Sequence, residues 1–139
     1  MKADPAPKGY PTVSPYLSVI DAAGLLNFLP GVFEGTLHER LTRADGSTGH
    51  AEVRIGDSMI MLGGVQDPAS LRPASLYVYV ENCDGTYTRA LTAGARSHLA
   101  PTTMFYGDRV SAVNDPFGNL WWIAQRVEDV APEEIRRRA

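Results

Sequence analysis

Hydrophobic and polar positions alternate along residues 13–20, VSPYLSVI, as they do in a β-strand that buries one face. Asp21 then supplies a helix N-cap, and the apolar residues after it recur at helical spacing as far as Leu29. Pro30-Gly31 predicts the end of this helix, because proline lacks the backbone N–H that a helix interior uses. Further alternation predicts three strands, at 33–43, 50–55 and 59–62.

The same order of elements returns in the second half of the chain. It predicts a strand at 76–80, a helix at about 83–93 and three further strands, of which the last two are separated by the turn at 115–118. A shift of 61 residues superposes the two halves, so that Met61 falls on Trp122. The chain is therefore expected to be an internal repeat.

These elements predict a single domain, residues 1–139, built from two βαβββ modules. The approximate boundaries are 11–64 for module one, 65–73 for the linker, 74–127 for module two and 131–138 for a C-terminal helix. One module cannot bury both faces of its own sheet. Two modules side by side are therefore expected to form an α+β fold with one curved, cupped mixed sheet. The helices would lie on its convex face, and the concave face would be free for a ligand.

Strand alternation predicts which side chains line this cup. In each strand an aliphatic row is expected to pack under a helix, and the opposite row faces the cup. The 61-residue shift also places Ser111 and Val113 on the cup face, with Arg109 just before them. The predicted ligand contacts are Tyr16, Met59, Met61, Tyr77, Tyr79, Arg109 and Trp122. Such an aromatic and thioether lining suits a planar or hydrophobic ligand.

His50 and Glu52 are the candidate catalytic residues, because alternation places both side chains in the cup, two positions apart on one strand. They fit an acid–base pair, but residues at this spacing also form ordinary salt-bridged strand faces. Tyr77, Tyr79 and Trp122 likewise fit either ligand contact or sheet packing, since strands favour aromatic residues. Both alternatives stay open at the level of sequence.

Other polar residues have structural interpretations. His38 and His98 lie on predicted outer strands and are expected at the surface, without a partner nearby. Asp108-Arg109 follows Gly107 and is expected to be a structural turn pair rather than a substrate clamp. Cys83 is interpreted as a small residue at a helix start.

Three segments carry a resemblance to a known family. They are PYLSVIDAAGLLNFL (15–29), GHAEVRIGDSMIML (49–62) and MFYGDRVSAVNDPFGNLWWIAQRVEDVAPEEIRRR (104–138). The chain resembles the PhnB-like branch of the vicinal oxygen chelate superfamily, which includes glyoxalase I, bleomycin-resistance proteins, extradiol dioxygenases and fosfomycin-resistance enzymes. The resemblance implies the two-module cup and a homodimer. It does not imply one reaction, because a fold does not fix a function.

The resemblance also locates the positions at which metal-using members hold their ion. These lie on the first and last strands of each module and fall on Ser14, Ser75, Met61 and Trp122. Neutral hydroxyls are weak ligands, a thioether is soft, and indole has no available lone pair. We therefore predict no metal ligands and no cofactor.

Composition and charge limit the classes of partner that the chain is expected to bind. The chain has 13 basic and 16 acidic residues and a formal net charge of -3, which does not favour nucleic acid. No stretch is long and apolar enough for a membrane span, and residues 1–10 are expected to be a short frayed arm. One cysteine fits a reducing compartment, so a cytoplasmic location is predicted.

Three functions remain, in order of preference. The first is metal-free binding or sequestering of a small planar or hydrophobic molecule in the concave sheet. The second is a glyoxalase- or dioxygenase-type lyase or oxidoreductase that uses an atypical site around His50 and Glu52. The third is a structural module that binds a partner protein. A methyltransferase is not predicted, because no glycine-rich loop follows a strand to bind the methyl donor.

Overall fold

The computed structural model describes residues 2–139. Met1, the first residue of the predicted arm and of the predicted domain, lies outside the described residues. The chain divides into two compact units, one ending at Ala74 and the other beginning at Ser75. This division falls where module two is predicted to begin, and the assignment of both units to a single domain stays a prediction.

Each unit begins with the element order βαβββ. The first unit contains β1 (Tyr16–Val19), α1 (Ala22–Phe33), β2 (Thr36–Thr42), β3 (Thr48–Ile55) and β4 (Ser58–Gly64). A short 3-10 helix follows at Pro68–Ser70. The second unit contains β5 (Ser75–Tyr79), α2 (Cys83–Thr92), β6 (Arg96–Thr103), β7 (Asp108–Asn114), β8 (Leu120–Arg126) and α3 (Pro132–Arg138). The predicted tandem α+β modules are confirmed.

Hydrogen bonds join the strands into two four-stranded sheets, in the orders β1-β4-β3-β2 and β5-β8-β7-β6. The pairs β1–β4 and β5–β8 are parallel and the others are antiparallel, so both sheets are mixed. The predicted mixed sheet type is therefore confirmed for each module. The cupped arrangement of the two sheets stays a prediction.

Helix α1 begins as predicted but does not end at Pro30. The carboxylate of Asp21 accepts a hydrogen bond of 2.9 Å from the Gly24 N–H, which satisfies one free donor of the first turn. The helix continues to Phe33, because the extra turn buries Val32 and Phe33, and the burial offsets the one hydrogen bond that Pro30 cannot donate. It closes at Glu34, whose left-handed φ of 57° turns the chain into β2.

The core of the first unit lies between α1 and one face of its sheet. Helix α1 contacts β2, β3 and β4. Register places Leu17 beside Leu62, Ala51 opposite Leu62, and Val53 opposite Ile60. These side chains are almost completely buried, so the aliphatic row predicted for this strand face is confirmed.

Helix α2 packs on one face of the second sheet. The Asn82 side chain caps it by accepting from the Gly85 N–H at 3.0 Å. Cys83, its first residue, is fully buried, and its Sγ lies 3.4 Å from the Ser111 Oγ and 3.3 Å from the Ile123 carbonyl oxygen. Ser111 and Ile123 therefore lie on the helix side of the sheet.

The internal repeat changes register by one residue inside the last hairpin. In the first unit Ala51 pairs with Leu62, and a 61-residue shift predicts that Ala112 pairs with Ile123. Instead Ile123 pairs with Ser111, because residues 116–118 separate the bonded Asp115 and Asn119, whereas only Gly56-Asp57 separates Ile55 and Ser58. The prediction that Ser111, Val113 and Arg109 face the cup is therefore wrong: period-2 alternation moves the whole row to the helix side.

Within the described range, 2–139, we find no helix that is both long enough and apolar enough to cross a membrane.

Candidate ligand site

A chain of hydrogen bonds crosses the face of the first sheet that lies opposite α1. The Tyr16 hydroxyl is 3.0 Å from Nδ1 of His50, and the two rings stack with their centroids 5.6 Å apart. Nε2 of His50 is 2.8 Å from Oε2 of Glu52. The Tyr10 hydroxyl donates to Oε1 of Glu52. The predicted pair of His50 and Glu52 is thus in contact, with a tyrosine at each end.

Strand register explains why three of these side chains meet. Tyr16 of β1 lies beside Met61 of β4, and Met61 lies opposite Glu52 of β3. His50 precedes Glu52 by two residues on the same strand, so both side chains point to the same face. A row across three strands therefore brings together Tyr16, His50 and Glu52.

The fourth member comes from the segment before β1. The Arg54 guanidinium donates to the Gly9 carbonyl oxygen at 3.1 Å, and the Tyr10 ring stands edge-on to His38 with centroids 5.5 Å apart. The prediction of a frayed arm is therefore wrong for Gly9 and Tyr10. The prediction that His38 has no partner is wrong as well, although its side chain is exposed as expected.

Sequence reasoning missed Tyr10 and His38 for different reasons. Tyr10 contacts Glu52 across 42 positions of chain, and no periodic pattern signals such a contact. His38 lies at a β-bulge, where the register between β2 and β3 shifts between Leu37 and Glu39. A bulge breaks the alternation from which we inferred side-chain direction.

Glu52 is 8% exposed and carries a charge stabilised by its neighbours. Burial raises the pKa of its carboxyl, but hydrogen bonds from His50 and Tyr10 outweigh burial and hold the pKa below the ordinary value of 4.5. The pKa of Tyr10 is raised, chiefly by its hydrogen bond to Glu52 and then by burial. The arrangement therefore favours a carboxylate flanked by a neutral phenol.

This shift predicts a pH dependence of stability. A carboxyl whose folded pKa is lowered stabilises the fold above its unfolded pKa, and this stabilisation is lost as the pH falls through the folded value. We expect the free energy of unfolding of the wild type to decrease more between pH 6 and 3 than that of Glu52→Gln, as measured by urea denaturation. Glu39→Gln, at an exposed position on β2, is the control. Parallel curves for wild type and Glu52→Gln would contradict this assignment.

Aromatic side chains occupy the face of the second sheet that lies opposite α2. Tyr77 lies beside Trp122 and Tyr79 beside Ala124 across the β5–β8 pair. The rings of Tyr77 and Tyr79 meet edge-on with centroids 5.4 Å apart. Trp122 meets His98 in the same way at 5.7 Å, so the prediction that His98 has no partner is wrong. The shared face of Tyr77, Tyr79 and Trp122 is confirmed, and their contact with a ligand stays a prediction.

The Tyr77 hydroxyl is held by the sheet while its ring remains accessible. It donates to Oδ2 of Asp108 at 3.0 Å, and Asp108 is buried. Burial, and then hydrogen bonds with Tyr106 and Asp108, raise the pKa of Tyr77 well above its ordinary value. Tyr77 therefore offers a neutral aromatic surface.

The two predicted methionines share the face of the His50–Glu52 pair. Met61 lies opposite Glu52, and Met59 lies opposite Arg54. Met59 is fully buried, whereas Met61 is partly exposed. Of the two, Met61 is the one whose surface is open to a ligand.

Arg109 lies away from the tyrosines of the second sheet. Its guanidinium makes hydrogen bonds of 2.7 and 2.9 Å to the carboxylate of Asp84, near the start of α2. This placement follows from the register shift in β7. It agrees with a structural role for Arg109, and we leave the residue out of the ligand site.

The positions that the resemblance assigns to metal ligands do not suit a metal ion. Met61 and Trp122 lie beside Tyr16 and Tyr77 on the open faces, but thioether and indole are poor donors for a hard or borderline cation, and serine at 14 and 75 adds only neutral hydroxyls. Among residues 2–139, no three histidine, cysteine or acidic side chains are grouped so as to hold a metal. The donor set thus does not fit the ion that metal-using members hold.

Comparison with known proteins identifies relatives of the chain. The model of the Glyoxalase/Bleomycin resistance protein/Dioxygenase superfamily matches residues 12–123. An uncharacterised protein of Mycobacterium bovis is 34% identical over 137 aligned residues, covering 91% of this chain and 90% of that protein.

Solved structures share the fold of this chain. TioX from Micromonospora sp. ML1 has a TM-score of 0.69 at 23% identity, covering 83% of this chain and 98% of that one. The PhnB protein from Bacillus cereus has a TM-score of 0.69 at 17% identity, covering 83% of this chain and 99% of that one.

Proposed function

The chain belongs to the glyoxalase/bleomycin resistance protein/dioxygenase superfamily, and from this premise we propose that it binds a small planar or hydrophobic molecule on the open faces of its sheets. Binding is proposed to need no metal ion, because the four inherited ligand positions carry unsuitable donors. We also propose that the protein acts in the cytoplasm, because one cysteine fits a reducing compartment, and that it is a homodimer, as the resemblance implies.

The accessible tyrosines of β5 carry the proposal. Tyr77 is 43% exposed and Tyr79 is 67% exposed, although both are large aromatic side chains in contact with each other. Aromatic surface left open to water is stabilised when a flat apolar molecule covers it. Trp122 extends the same surface across β8. A planar ligand stacked on these rings is the simplest occupant of this face.

Removal of Trp122 tests this surface. Trp122→Ala should weaken the binding of a planar aromatic compound such as 4-nitroanisole by about 1–3 kcal/mol, the scale for the loss of one stacking partner. Isothermal titration calorimetry measures the affinity, and a bound compound should also raise the melting temperature.

Two controls make the test specific. Tyr87→Ala removes an aromatic residue of α2, whose hydroxyl bonds to Ser97 on β6, and should leave the affinity unchanged. Addition of a chelator should not alter binding to the wild type. Unchanged affinity in Trp122→Ala, or loss of binding with chelator, would overturn the proposed site or its independence of metal.

A further inference from the structure

The hydrogen-bond chain on the first sheet has a direction. An ionised carboxylate only accepts hydrogen bonds, so Nε2 of His50 carries the hydrogen in its contact with Glu52. In a neutral imidazole the other nitrogen is then an acceptor, and the Tyr16 hydroxyl donates to Nδ1. Tyr10 donates to the second oxygen of Glu52. All the protons of the chain therefore point towards Glu52.

The two tyrosine ends of this chain differ in access. Tyr10 is half-buried and packs against His38. Tyr16 is 48% exposed and lies on β1, an edge strand of its sheet. Because the Tyr16 hydroxyl donates its own hydrogen to His50, its oxygen still has a lone pair with which to accept one. Tyr16 is therefore the end at which a ligand meets the chain.

We propose that the Tyr16–His50–Glu52 chain takes a proton from its ligand, so that the first unit binds planar weak acids, such as phenols and enols, as their anions. The inference rests on the proposed function and names the class of ligand. The O–H bond of the ligand breaks, its electron pair stays on the ligand oxygen, and the proton goes to the Tyr16 oxygen. The original Tyr16 proton moves to Nδ1 of His50, and the imidazolium formed is paired with Glu52.

The surroundings of the chain suit this exchange. Met61 lies opposite Glu52 and adds apolar surface beside Tyr16. Other charged or titratable groups on this face include Glu39 and His38 of β2, Arg54 of β3, Tyr10, and Arg72, whose backbone pairs with Ser18 of β1. The nitrogen Nε2 of the new imidazolium lies 2.8 Å from a Glu52 carboxylate oxygen, so its positive charge has an adjacent negative partner. The ligand anion in turn accepts a hydrogen bond from the Tyr16 hydroxyl.

Two probes separate binding from proton transfer, because one carries a hydroxyl hydrogen and the other carries a methyl group on the same oxygen. 4-Nitrophenol has an acidic hydroxyl and changes its absorption spectrum when it ionises, whereas 4-nitroanisole has the same ring with a methyl ether. At a pH where free 4-nitrophenol is mostly protonated, we expect the wild type to bind both. The bound 4-nitrophenol should show the spectrum of its anion.

Variants test whether the proton transfer depends on the hydrogen bonds between Tyr16, His50 and Glu52. Tyr16→Phe and His50→Gln should lose the anion spectrum and about 10- to 100-fold in affinity for 4-nitrophenol, the range for a hydrogen bond to a charged group. Their affinity for 4-nitroanisole should change by less than about twofold, because its ring contacts remain. Tyr87→Phe removes a phenol hydroxyl from α2 and is the matched control. Circular dichroism establishes that each variant is folded. Glu52→Gln removes the carboxylate that pairs with the imidazolium and should also lose the anion spectrum.

Each outcome separates this inference from the proposed function. Binding of both probes with 4-nitrophenol still protonated, or an anion spectrum that survives in Tyr16→Phe, overturns the proton transfer and leaves the proposed function standing. Failure of both probes to bind overturns both. Loss of the anion spectrum in Tyr16→Phe and His50→Gln, with binding of 4-nitroanisole intact, supports the inference.

Discussion

Replacement of Trp121 by alanine is expected to lower the free energy of unfolding by about 3–5 kcal/mol, the cost of truncating a buried aromatic side chain. Trp121 is fully buried, beside Leu76 and opposite Val113 on the α2 side of the second sheet. Its Nε1–H also donates to Oδ2 of Asp115 at 2.8 Å. The variant therefore leaves a cavity and deprives a buried carboxylate of one donor.

The neighbouring tryptophan is the matched control. Trp122 lies on the opposite face and is partly exposed, so Trp122→Ala should cost no more than about 1 kcal/mol. Urea denaturation followed by far-ultraviolet circular dichroism measures both variants without relying on tryptophan fluorescence. Equal losses, or a larger loss for Trp122→Ala, would show that the faces of β8 are assigned the wrong way round.

Gly107→Ala should destabilise the protein by about 2–5 kcal/mol. Gly107 has a φ of 102°, which costs a residue with a Cβ about 1–2 kcal/mol. A Cβ there would also lie 2.3 Å from the Glu128 carbonyl oxygen and 3.0 Å from Cγ2 of Val130, and overpacking of this kind adds about 1–3 kcal/mol. The Gly107 carbonyl accepts hydrogen bonds from the backbone N–H groups of Val127 and Glu128, so these bonds hold residues 127–128 where the added Cβ would clash.

Gly46→Ala separates the clash from the backbone strain. Gly46 has a similar φ of 87°, but none of the described residues places a heavy atom within 4 Å of a Cβ built there. Its replacement should cost only about 1–2 kcal/mol. Denaturation curves that give the same loss for the two variants would contradict the close approach of Glu128 to Gly107.

Much of the fold was predictable because alternation and the repeat are local signals. The order of elements and the buried row that includes Leu17 and Val53 follow from them. Prediction failed where one extra residue in a hairpin loop changed the strand register. Residues 116–118 make the second hairpin loop one residue longer than Gly56-Asp57, and this single difference moved Arg109 to the other face.

The candidate site was predictable only in part. His50 and Glu52 share one strand, so alternation alone brings them together. Tyr16, predicted on the same face, joins them through the β1–β4–β3 strand order, which the structure shows and the sequence did not predict. Tyr10 reaches Glu52 from outside the repeat. The Tyr10–Glu52 contact is stabilising because the buried Glu52 carboxylate needs hydrogen-bond donors. The sequence does not show that Glu52 is buried until the strands around it are placed.

The buried thiol of Cys83 gives the second unit a built-in reporter of opening. Because Cys83 is the one cysteine of the chain and is fully buried at the first residue of α2, against the sheet, a thiol reagent reaches it only when that helix leaves the sheet. The labelling rate then measures the free energy of opening of the second unit alone. Comparison with the free energy of global unfolding reveals whether the two halves of the chain melt together or one at a time.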